Sequence, residues 1–305
     1  MSSPVPVTVD GRRLRLSNLD KVLYPEVGFT KGEVIDYYTR VAPALLPHLA
    51  NRPLTLKRYP NGVEGQFFFE KNAPRGTPDW VRTARLPAPG STMGRDEIDY
   101  VVVENLPTLV WLANLAALEL HTPQWRVGPR GAARGADQLV LDLDPGPPAT
   151  VVECCAVAVL LRDLLVADGL TPVAKTSGSK GLQVYAAVQE TSAQRTSDYA
   201  RGLAQRLEQD RRELVVSRMT KSLRPGKVLV DWSQNNAAKT TVSVYSLRAR
   251  PTPTVSAPVD WDEVAKAAER HARLVFTAPD VLGRIEDDGD LFAPLLTEGN
   301  RPKLP

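Results

Sequence analysis

The sequence has few cysteines and histidines, little net charge and no long hydrophobic run. Its two cysteines, Cys154 and Cys155, are adjacent and cannot form an ordinary structural bridge, which excludes a disulfide framework and a cysteine zinc cluster. The longest apolar run, Cys154 to Leu161, is far too short to span a bilayer. The N-terminal segment MSSPVPVTVDGRR has no apolar signal core. We therefore expect a soluble, cytoplasmic protein with no membrane partner.

The composition is that of a globular protein. The chain has 305 residues, 43% of them hydrophobic, and no repeat or Pro/Gly/Ser-rich linker divides it. Runs of strand and helix alternate, which predicts an α/β sandwich with a mixed central sheet. We expect one domain over residues 1–290 and a peripheral tail over residues 291–305. The net charge of +3 permits nucleic-acid binding without requiring it.

Several local patterns predict helices. Thr30 with Glu33, and Thr150 with Glu153, have capping-box spacing, so helices should begin there and run to about Pro47 and Asp168. Thr191 and Gln194 predict the start of another helix. Residues 106–118 are apolar enough to form a mostly buried helix.

The most informative stretch is DQLVLDLDPG, residues 137–146. Gln138 to Leu143 reads as a buried strand, and Pro145 ends it in a turn. Asp142 and Asp144 are two residues apart, so both point to the same face of the strand. Neighbouring carboxylates repel each other, and a bound Mg²⁺ or Mn²⁺ would relieve that repulsion. The spacing is short and common, and on its own it more often marks a turn in which one Asp opens the turn and the other is solvated.

Two further features favour phosphate chemistry. The apolar run Val228 to Val230 ends at Asp231, which would supply a third carboxylate from a second strand. Two metals about 3.5–4 Å apart, held by such carboxylates, are typical of in-line phosphoryl transfer. Residues 175–181, KTSGSKG, could cradle a triphosphate with backbone N–H groups and Lys180, although the order is not that of a Walker loop. The residues alone leave a metal-dependent nuclease or phosphatase open.

Nine stretches, in order, resemble the polymerase domain of bacterial non-homologous end-joining ligase D, a branch of the archaeo-eukaryotic primase superfamily. They are SNLDKVLYP (17–25), KRYPNG (57–62), FFEK (68–71), ALELHTPQW (117–125), LDLDPG (141–146), TSGSKGL (176–182), MTKSLRPGKVLVDWSQNN (219–236), KTT (239–241) and YSLRAR (245–250). They cover about residues 10–290, and the block around Asp231 is highly specific. The resemblance implies a primase-like mixed-sheet sandwich with catalytic acids on a central sheet.

The resemblance also implies a function. It is template-directed addition of nucleotides, with ribonucleotides preferred, to a primer 3′-hydroxyl at short gaps or double-strand breaks carrying a 5′-phosphate. Asp142, Asp144 and Asp231 would be the catalytic residues and would hold two divalent metal ions, with Mn²⁺ preferred and Mg²⁺ possible. We expect a stand-alone bacterial, nucleoid-associated protein that works with Ku and a separate DNA ligase.

The same resemblance implies roles for other residues, each of which could instead be an ordinary surface or ion-pair residue. The nucleotide would be bound by His121, Ser177, Ser179, Lys180, Arg224, Gln234, Lys239 and Arg248. The 5′-phosphate would be bound by Asn18, Lys21 and Lys31. The template would be contacted by Phe68 and Phe69. Three consecutive aromatic residues cannot all face one core from a strand, and core packing and exposure are equally plausible for Phe67.

One position departs from the family pattern. The family usually reads SGSKGLH, and this chain has Gln183 in place of the histidine, which implies weaker triphosphate binding. Glutamine can donate a hydrogen bond but cannot carry a proton or charge. The alternative function is therefore a non-catalytic module that binds DNA ends or gaps.

Overall fold

The computed structural model describes residues 3–88, 94–270, 274–297, 299 and 301–305. Its strands are β1 (Val5–Val9), β2 (Arg12–Leu16), β3 (Val22–Tyr24), β4 (Phe29–Thr30), β5 (Thr55–Arg58), β6 (Phe68–Glu70), β7 (Thr83–Pro87), β8 (Glu97–Val101), β9 (Ala117–Thr122), β10 (Trp125–Val127), β11 (Ala133–Pro145), β12 (Pro172–Thr176), β13 (Leu182–Thr191), β14 (Val215–Val216), β15 (Val228–Asp231), β16 (Thr241–Val242) and β17 (Pro258–Val259). Its α-helices are α1 (Lys31–Leu49), α2 (Leu106–Asn114), α3 (Val151–Ala167), α4 (Ala193–Asp210), α5 (Trp261–Arg270) and α6 (Ala278–Asp288). Short 3₁₀ helices cover Lys221–Leu223, Trp232–Asn235 and Ala293–Leu296.

The larger sheet in the described part of the chain has seven strands and is built around β11. Its order is β14-β15-β11-β13-β12-β17, and β10 pairs with the N-terminal part of β11. All pairings are antiparallel except the one between β14 and β15. Leu139, Leu141 and Leu143 point to one face of β11 and enter a buried core with residues of α3, α4 and α5. This packing leaves the side chains of the intervening residues on the opposite face.

The smaller sheet has the antiparallel order β16-β9-β5-β6. Leu56, Leu118 and Leu120 belong to a second core, which also contains the apolar residues of α1 and α2. The hydroxyl of Tyr38 in α1 donates a hydrogen bond to the Leu118 carbonyl at 2.6 Å. The helices therefore cover one face of this sheet, and Glu119 and His121 alternate onto the other.

The mixed α/β fold is confirmed, and so are two of the predicted helix starts. Thr30 caps α1 and Thr150 caps α3, each in a reciprocal capping box with the glutamate three residues later. These motifs need only neighbouring residues, so the local sequence is sufficient to predict them.

Two other local predictions were wrong. The helix expected over residues 106–118 ends at Asn114, and Ala117–Thr122 forms strand β9 instead. Ala116 has a φ of 56°, a left-handed conformation that ends the helix and turns the chain into the sheet. The next helix is capped by Ser192, whose side chain accepts a hydrogen bond from the Arg195 N–H. Thr191 is the last residue of β13.

Residues near the C-terminus pack against the larger sheet. Arg301 donates hydrogen bonds to the Asp137 carbonyl at 3.0 Å and to the Asp137 carboxylate at 3.2 Å. The Pro302 carbonyl accepts a hydrogen bond from the Gln189 N–H at 2.8 Å. Residues 298 and 300 of the predicted tail lie outside the described residues, and the boundary at residue 290 stays a prediction. Within the described ranges, no helix is both long and apolar enough to cross a membrane.

Candidate active site

A row of four polar side chains crosses the larger sheet. Asp231 on β15 is directly opposite Asp142 on β11, Asp142 is opposite Gln183 on β13, and Gln183 is opposite Lys175 on β12. Directly opposed residues point to the same face of an antiparallel sheet, with Cβ atoms about 4.5–5.5 Å apart. Asp144, two residues beyond Asp142, shares that face. The register of the sheet thus gathers the three predicted acids.

Hydrogen bonds connect three members of this row. Lys175 is 1% exposed, and its ammonium donates to the Gln183 side-chain oxygen, to the Val242 carbonyl at 3.0 Å and to the Ser256 hydroxyl at 2.7 Å. The Gln183 amide then donates to the Asp142 carboxylate at 3.0 Å. An ammonium cannot accept a hydrogen bond, so it fixes the orientation of the amide. Gln183 therefore lies between the buried amine of Lys175, whose pKa burial lowers to about 7, and a predicted metal ligand.

Burial and neighbouring carboxylates perturb Asp142 and Asp144. Burial raises the pKa of Asp142 to about 7, with further contributions from the charges of Asp144 and Asp231. The pKa of Asp144 is also raised, first by burial and then by Asp231. Negative charge accumulated in this way favours a bound cation, and carboxylate oxygens are ligands that Mg²⁺ and Mn²⁺ accept.

Both oxygens of Asp231 already have partners. One accepts hydrogen bonds from the Ser233 N–H at 2.9 Å and from the Ser233 hydroxyl at 2.6 Å, and the other accepts from the Gln234 amide at 2.9 Å. Lys239 donates to the same Ser233 hydroxyl. In the described ranges, no three His, Cys, Asp or Glu side chains are arranged so that they could hold a metal ion directly. The metal site stays a prediction that requires these carboxylates to turn toward a common point.

The predicted phosphate turn lies between β12 and β13. The Ser177 hydroxyl accepts hydrogen bonds from the N–H groups of Ser179 at 3.3 Å and Gly181 at 3.1 Å, and Lys180 is exposed. Gly178 has a φ of +65°, and a Cβ there would lie 2.6 Å from the Arg248 side chain. Only glycine fits this position without strain or a clash. The compact turn allows Arg248 to donate to the Ser177 carbonyl at 3.0 Å.

Two predicted arginines retain an unused donor. The Nε atoms of Arg224 and Arg248 are buried and have no hydrogen-bond partner within the described part of the chain. Arg224 otherwise donates to the Met219 carbonyl at 2.6 Å. Guanidinium groups bind phosphate oxygens through such donors. An anion beside Arg224 would satisfy a donor that the described residues leave unpaired, whereas the Nε of Arg248 faces the Glu119 carboxylate at 3.5 Å.

A second polar row crosses the smaller sheet. Phe69 on β6 is opposite Lys57 on β5, and Lys57 is opposite Glu119 on β9. His121 follows Glu119 on the same face, and its Nε2 lies 2.9 Å from the Glu119 carboxylate. Arg248 connects this second row to the phosphate turn, since its Nε lies 3.5 Å from Glu119 while it donates to the Ser177 carbonyl. Sequence reasoning missed Glu119 and Lys57, although the two-residue alternation of ALELHT (117–122) is typical of a strand.

The three consecutive phenylalanines lie on the surface. Phe67, Phe68 and Phe69 are 48%, 55% and 64% exposed, so core packing does not account for Phe67. The Lys57 ammonium lies 4.2 Å from the centre of the Phe67 ring, and the Phe69 ring packs against His121 at 6.2 Å. Exposed aromatic faces beside a cation are typical of surfaces on which bases stack.

The predicted 5′-phosphate residues are gathered by a tight turn. Asn18 has a φ of 53°, the Lys21 N–H donates to the Asn18 carbonyl at 3.1 Å, and the Lys31 N–H donates to the Lys21 carbonyl at 2.8 Å. Lys31 is 5% exposed and donates to the Ser17 carbonyl at 2.6 Å, so a solvated surface role is wrong for it. Burial, together with the charge of Lys21, lowers the pKa of Lys31 to about 8. An anion would stabilise both ammonium groups.

The fold and the site together are those of a primase-like polymerase domain, a nucleotidyltransferase-type domain. Residues 30–292 match the family described as LigD, primase-polymerase domain. The chain belongs to this family, and the resemblance on which the sequence prediction rested is confirmed.

Individual relatives agree with this assignment. The chain is 46% identical over 286 residues to the multifunctional non-homologous end joining protein LigD of Mycolicibacterium smegmatis, covering 93% of this chain and 36% of the relative. It is 32% identical to the bifunctional non-homologous end joining protein LigD of Bacillus subtilis, covering 92% and 44%. The polymerase domain from Mycobacterium tuberculosis ligase D in complex with DNA superimposes with a TM-score of 0.87 at 43% identity, covering 95% of this chain and 99% of that one. The chain thus spans less than half the length of these curated relatives.

Proposed function

We propose that this protein is a template-directed nucleotidyltransferase that adds nucleotides to the 3′-hydroxyl of a primer at short gaps or breaks in DNA. The observation that carries the proposal is the placement of Asp231 and Asp142 on adjacent strands in register, with Asp144 on the same face. The relatives are named for non-homologous end joining, which supports end joining as the process. The protein would act in the bacterial cytoplasm, where its DNA substrate lies.

Asp142, Asp144 and Asp231 would hold the divalent cations, with Mn²⁺ preferred and Mg²⁺ accepted. The donor set fits, because oxygen ligands suit these cations and the raised pKa of Asp142 reflects unfavourable negative charge that a cation would offset. Bound there, the ions would lower the pKa of the primer hydroxyl and offset charge on the triphosphate. Ser233 and Gln234 would release the carboxylate of Asp231 as it turns toward the ion.

Residues of this chain would bind the rest of the nucleotide. Lys180 and the hydroxyl groups of Ser177 and Ser179 would contact the triphosphate. The unpaired Nε donor of Arg224 and the position of the Arg248 guanidinium against the phosphate turn support phosphate binding beside them. The sugar would contact His121. Gln234 and Lys239 would act through the hydrogen bonds that hold the segment around Asp231.

The DNA would be held at two places. Asn18, Lys21 and Lys31 would bind the 5′-phosphate at the far side of the gap. The mutual repulsion of the two lysines supports this role, because a bound anion would offset it. Phe68 and Phe69 would contact the template, which their exposure supports. Since nucleotide addition alone leaves a nick, we propose that Ku and a DNA ligase activity act on the same ends.

The test is nucleotide addition on a short-gapped DNA with a 5′-phosphate in Mn²⁺, compared between wild type and Asp142→Ala. Template-directed incorporation that the substitution abolishes is the expected result. Ribonucleotides and deoxynucleotides, and Mn²⁺ and Mg²⁺, are compared in the same assay. DNA hydrolysis without added nucleotide would instead indicate a nuclease.

The alternative is a non-catalytic module that binds DNA ends. One observation favours it: the Gln183 amide is engaged by Lys175 and Asp142, so it is not free to hold a triphosphate. Tight binding of phosphorylated gapped DNA without any incorporation, with every nucleotide and both metals, would establish this alternative and overturn the polymerase proposal.

A further inference from the structure

Glu119 is a buried carboxylate, and both of its oxygens have hydrogen-bond or ion-pair partners. Its side chain is 3% exposed. One oxygen lies 2.9 Å from His121 Nε2, and the other lies 3.5 Å from Arg248 Nε and 3.8 Å from the Lys57 ammonium and accepts a hydrogen bond from the Ala249 N–H at 3.1 Å. Burial raises the pKa of Glu119, but the hydrogen bond from His121 and the charges of Arg248 and Lys57 outweigh it and hold the pKa at about 2. The group is therefore an anion at neutral pH.

We propose that Glu119 is a positioning residue that sets which nitrogen of His121 faces the nucleotide, and that this choice makes the site favour ribonucleotides over deoxynucleotides. The proposal rests on the proposed function, because it assigns the sugar as the ligand of His121. It deepens that function by naming the residue that creates the preference.

The proton position on His121 follows from its partner. A neutral imidazole has one donor and one acceptor nitrogen, and a carboxylate only accepts. Nε2 therefore carries the hydrogen and donates it to Glu119, which leaves Nδ1 as an acceptor. Within the described residues, Nδ1 has no hydrogen-bond partner, and burial lowers the pKa of His121 so that the ring stays neutral at pH 7. Ribose has one more hydroxyl than deoxyribose, and an acceptor nitrogen binds it by taking its hydrogen, whereas a donor nitrogen requires that hydrogen to turn away.

The same carboxylate connects sugar recognition with phosphate recognition. Arg248, held against Glu119, donates to the Ser177 carbonyl in the phosphate turn. Lys57, held on the other side, lies under the Phe67 and Phe69 rings at 4.2 and 5.5 Å. Removing the charge of Glu119 should therefore weaken nucleotide binding in general and reduce the discrimination between sugars in particular.

Glu119→Gln tests the proposal with a side chain of the same shape. Three donors surround one carboxylate oxygen, so the amide oxygen of the variant will face Lys57, Arg248 and the Ala249 N–H. Its NH₂ group will then donate to His121 Nε2 and move the imidazole hydrogen to Nδ1. The tautomer of His121 should invert, and a nitrogen that accepted a sugar hydroxyl should become a donor.

The first measurement is the ¹⁵N imidazole spectrum of the free protein, which needs no nucleotide and no metal. The sequence has three histidines, so single substitutions assign the signals. Asp290→Asn is the matched control, because Asp290 lies 2.8 Å from His48 Nε2 in a comparable pair that is not among the proposed nucleotide residues. We expect Glu119→Gln to invert the tautomer of His121 and Asp290→Asn to leave it unchanged. An unchanged His121 tautomer in Glu119→Gln overturns the proposal.

The second measurement is the dissociation constant of ATP and of dATP for the same variants. Loss of one hydrogen bond of ordinary strength should reduce the preference for ATP over dATP by about tenfold in Glu119→Gln. Asp290→Asn should keep the wild-type ratio. If the ratio of the two dissociation constants is the same in wild type and Glu119→Gln, the proposal is overturned. If the wild type binds neither ATP nor dATP, the proposed function is overturned, and the tautomer measurement remains valid by itself.

Discussion

Asp142→Asn should stabilise the metal-free protein while it abolishes metal binding. The pKa of Asp142 rises from 3.8 to about 7 on folding, first because of burial and then because of Asp144 and Asp231. Asparagine has no charge to bury and keeps an oxygen that can accept the hydrogen bond from Gln183. The variant therefore removes an unfavourable charge at little cost in contacts.

The magnitude follows from the pKa. A difference of one unit in pKa between the folded and unfolded states corresponds to about 1.4 kcal/mol. Ionising Asp142 therefore costs about 4 kcal/mol more in the folded protein than in the unfolded chain. The pKa of about 7 already includes the favourable interaction of the Asp142 charge with Lys175, so we expect a gain of up to about 4 kcal/mol in the free energy of unfolding at pH 8. For a protein of this size the gain corresponds to roughly 5–10 °C in Tm.

The sign of the pH dependence is fixed by the direction of the shift. Because the folded pKa lies above the unfolded one, the neutral Asp142 carboxyl contributes stability below about pH 4, and that contribution is lost as the pH rises through about 7. The advantage of Asp142→Asn should therefore be large at pH 8 and shrink by half or more at pH 5.

The assay is urea unfolding in the presence of a chelator at pH 5 and pH 8, repeated with Mn²⁺. Mn²⁺ should stabilise the wild type and leave Asp142→Asn unaffected. Asp99→Asn is the control: Asp99 lies in an exposed pair with Arg85, so its loss should cost less than about 1 kcal/mol. A variant no more stable than the wild type at pH 8, or a gain that does not shrink at pH 5, would refute the view that the three acids repel one another.

Three further predictions follow from other contacts. Lys175→Met removes the buried amine that orients the Gln183 amide, so Mn²⁺ affinity in titration calorimetry should fall severalfold while affinity for gapped DNA is unchanged. Asp137→Asn leaves the 1%-exposed Arg52 without its buried partner and should lower the free energy of unfolding by about 3–5 kcal/mol in urea. Phe69→Ala removes a 64%-exposed ring and should weaken binding of a template overhang by about 1–3 kcal/mol with no change in Tm.

Each of these has a result that contradicts it. Unchanged Mn²⁺ affinity in Lys175→Met would mean that Gln183 does not position Asp142. If Asp137→Asn lowers the free energy of unfolding by less than about 1 kcal/mol, the Asp137 carboxylate contributes no more than an ordinary surface charge. A lower Tm with unchanged DNA binding in Phe69→Ala would assign the ring to packing.

The sequence was most informative where neighbouring residues decide the structure. The capping boxes at Thr30 and Thr150 involve residues three apart, and both were predicted. The strand over residues 117–122 was missed because its leucines and alanines continue the apolar pattern of helix α2. Only the left-handed turn at Ala116 separates the two elements, and alanine does not mark such a turn.

The sequence by itself determined the family and predicted the three acids and the phosphate turn, because those residues occur in contiguous motifs of recognisable order. Strand pairing between residues far apart in the chain, which no local pattern specifies, placed Asp142 between Asp231 and Gln183 and placed Lys175 at the end of that row. The same kind of pairing set Lys57 beside Glu119. The electrostatic environment of the site depends on these long-range registers and on burial, so only the tertiary structure decided it.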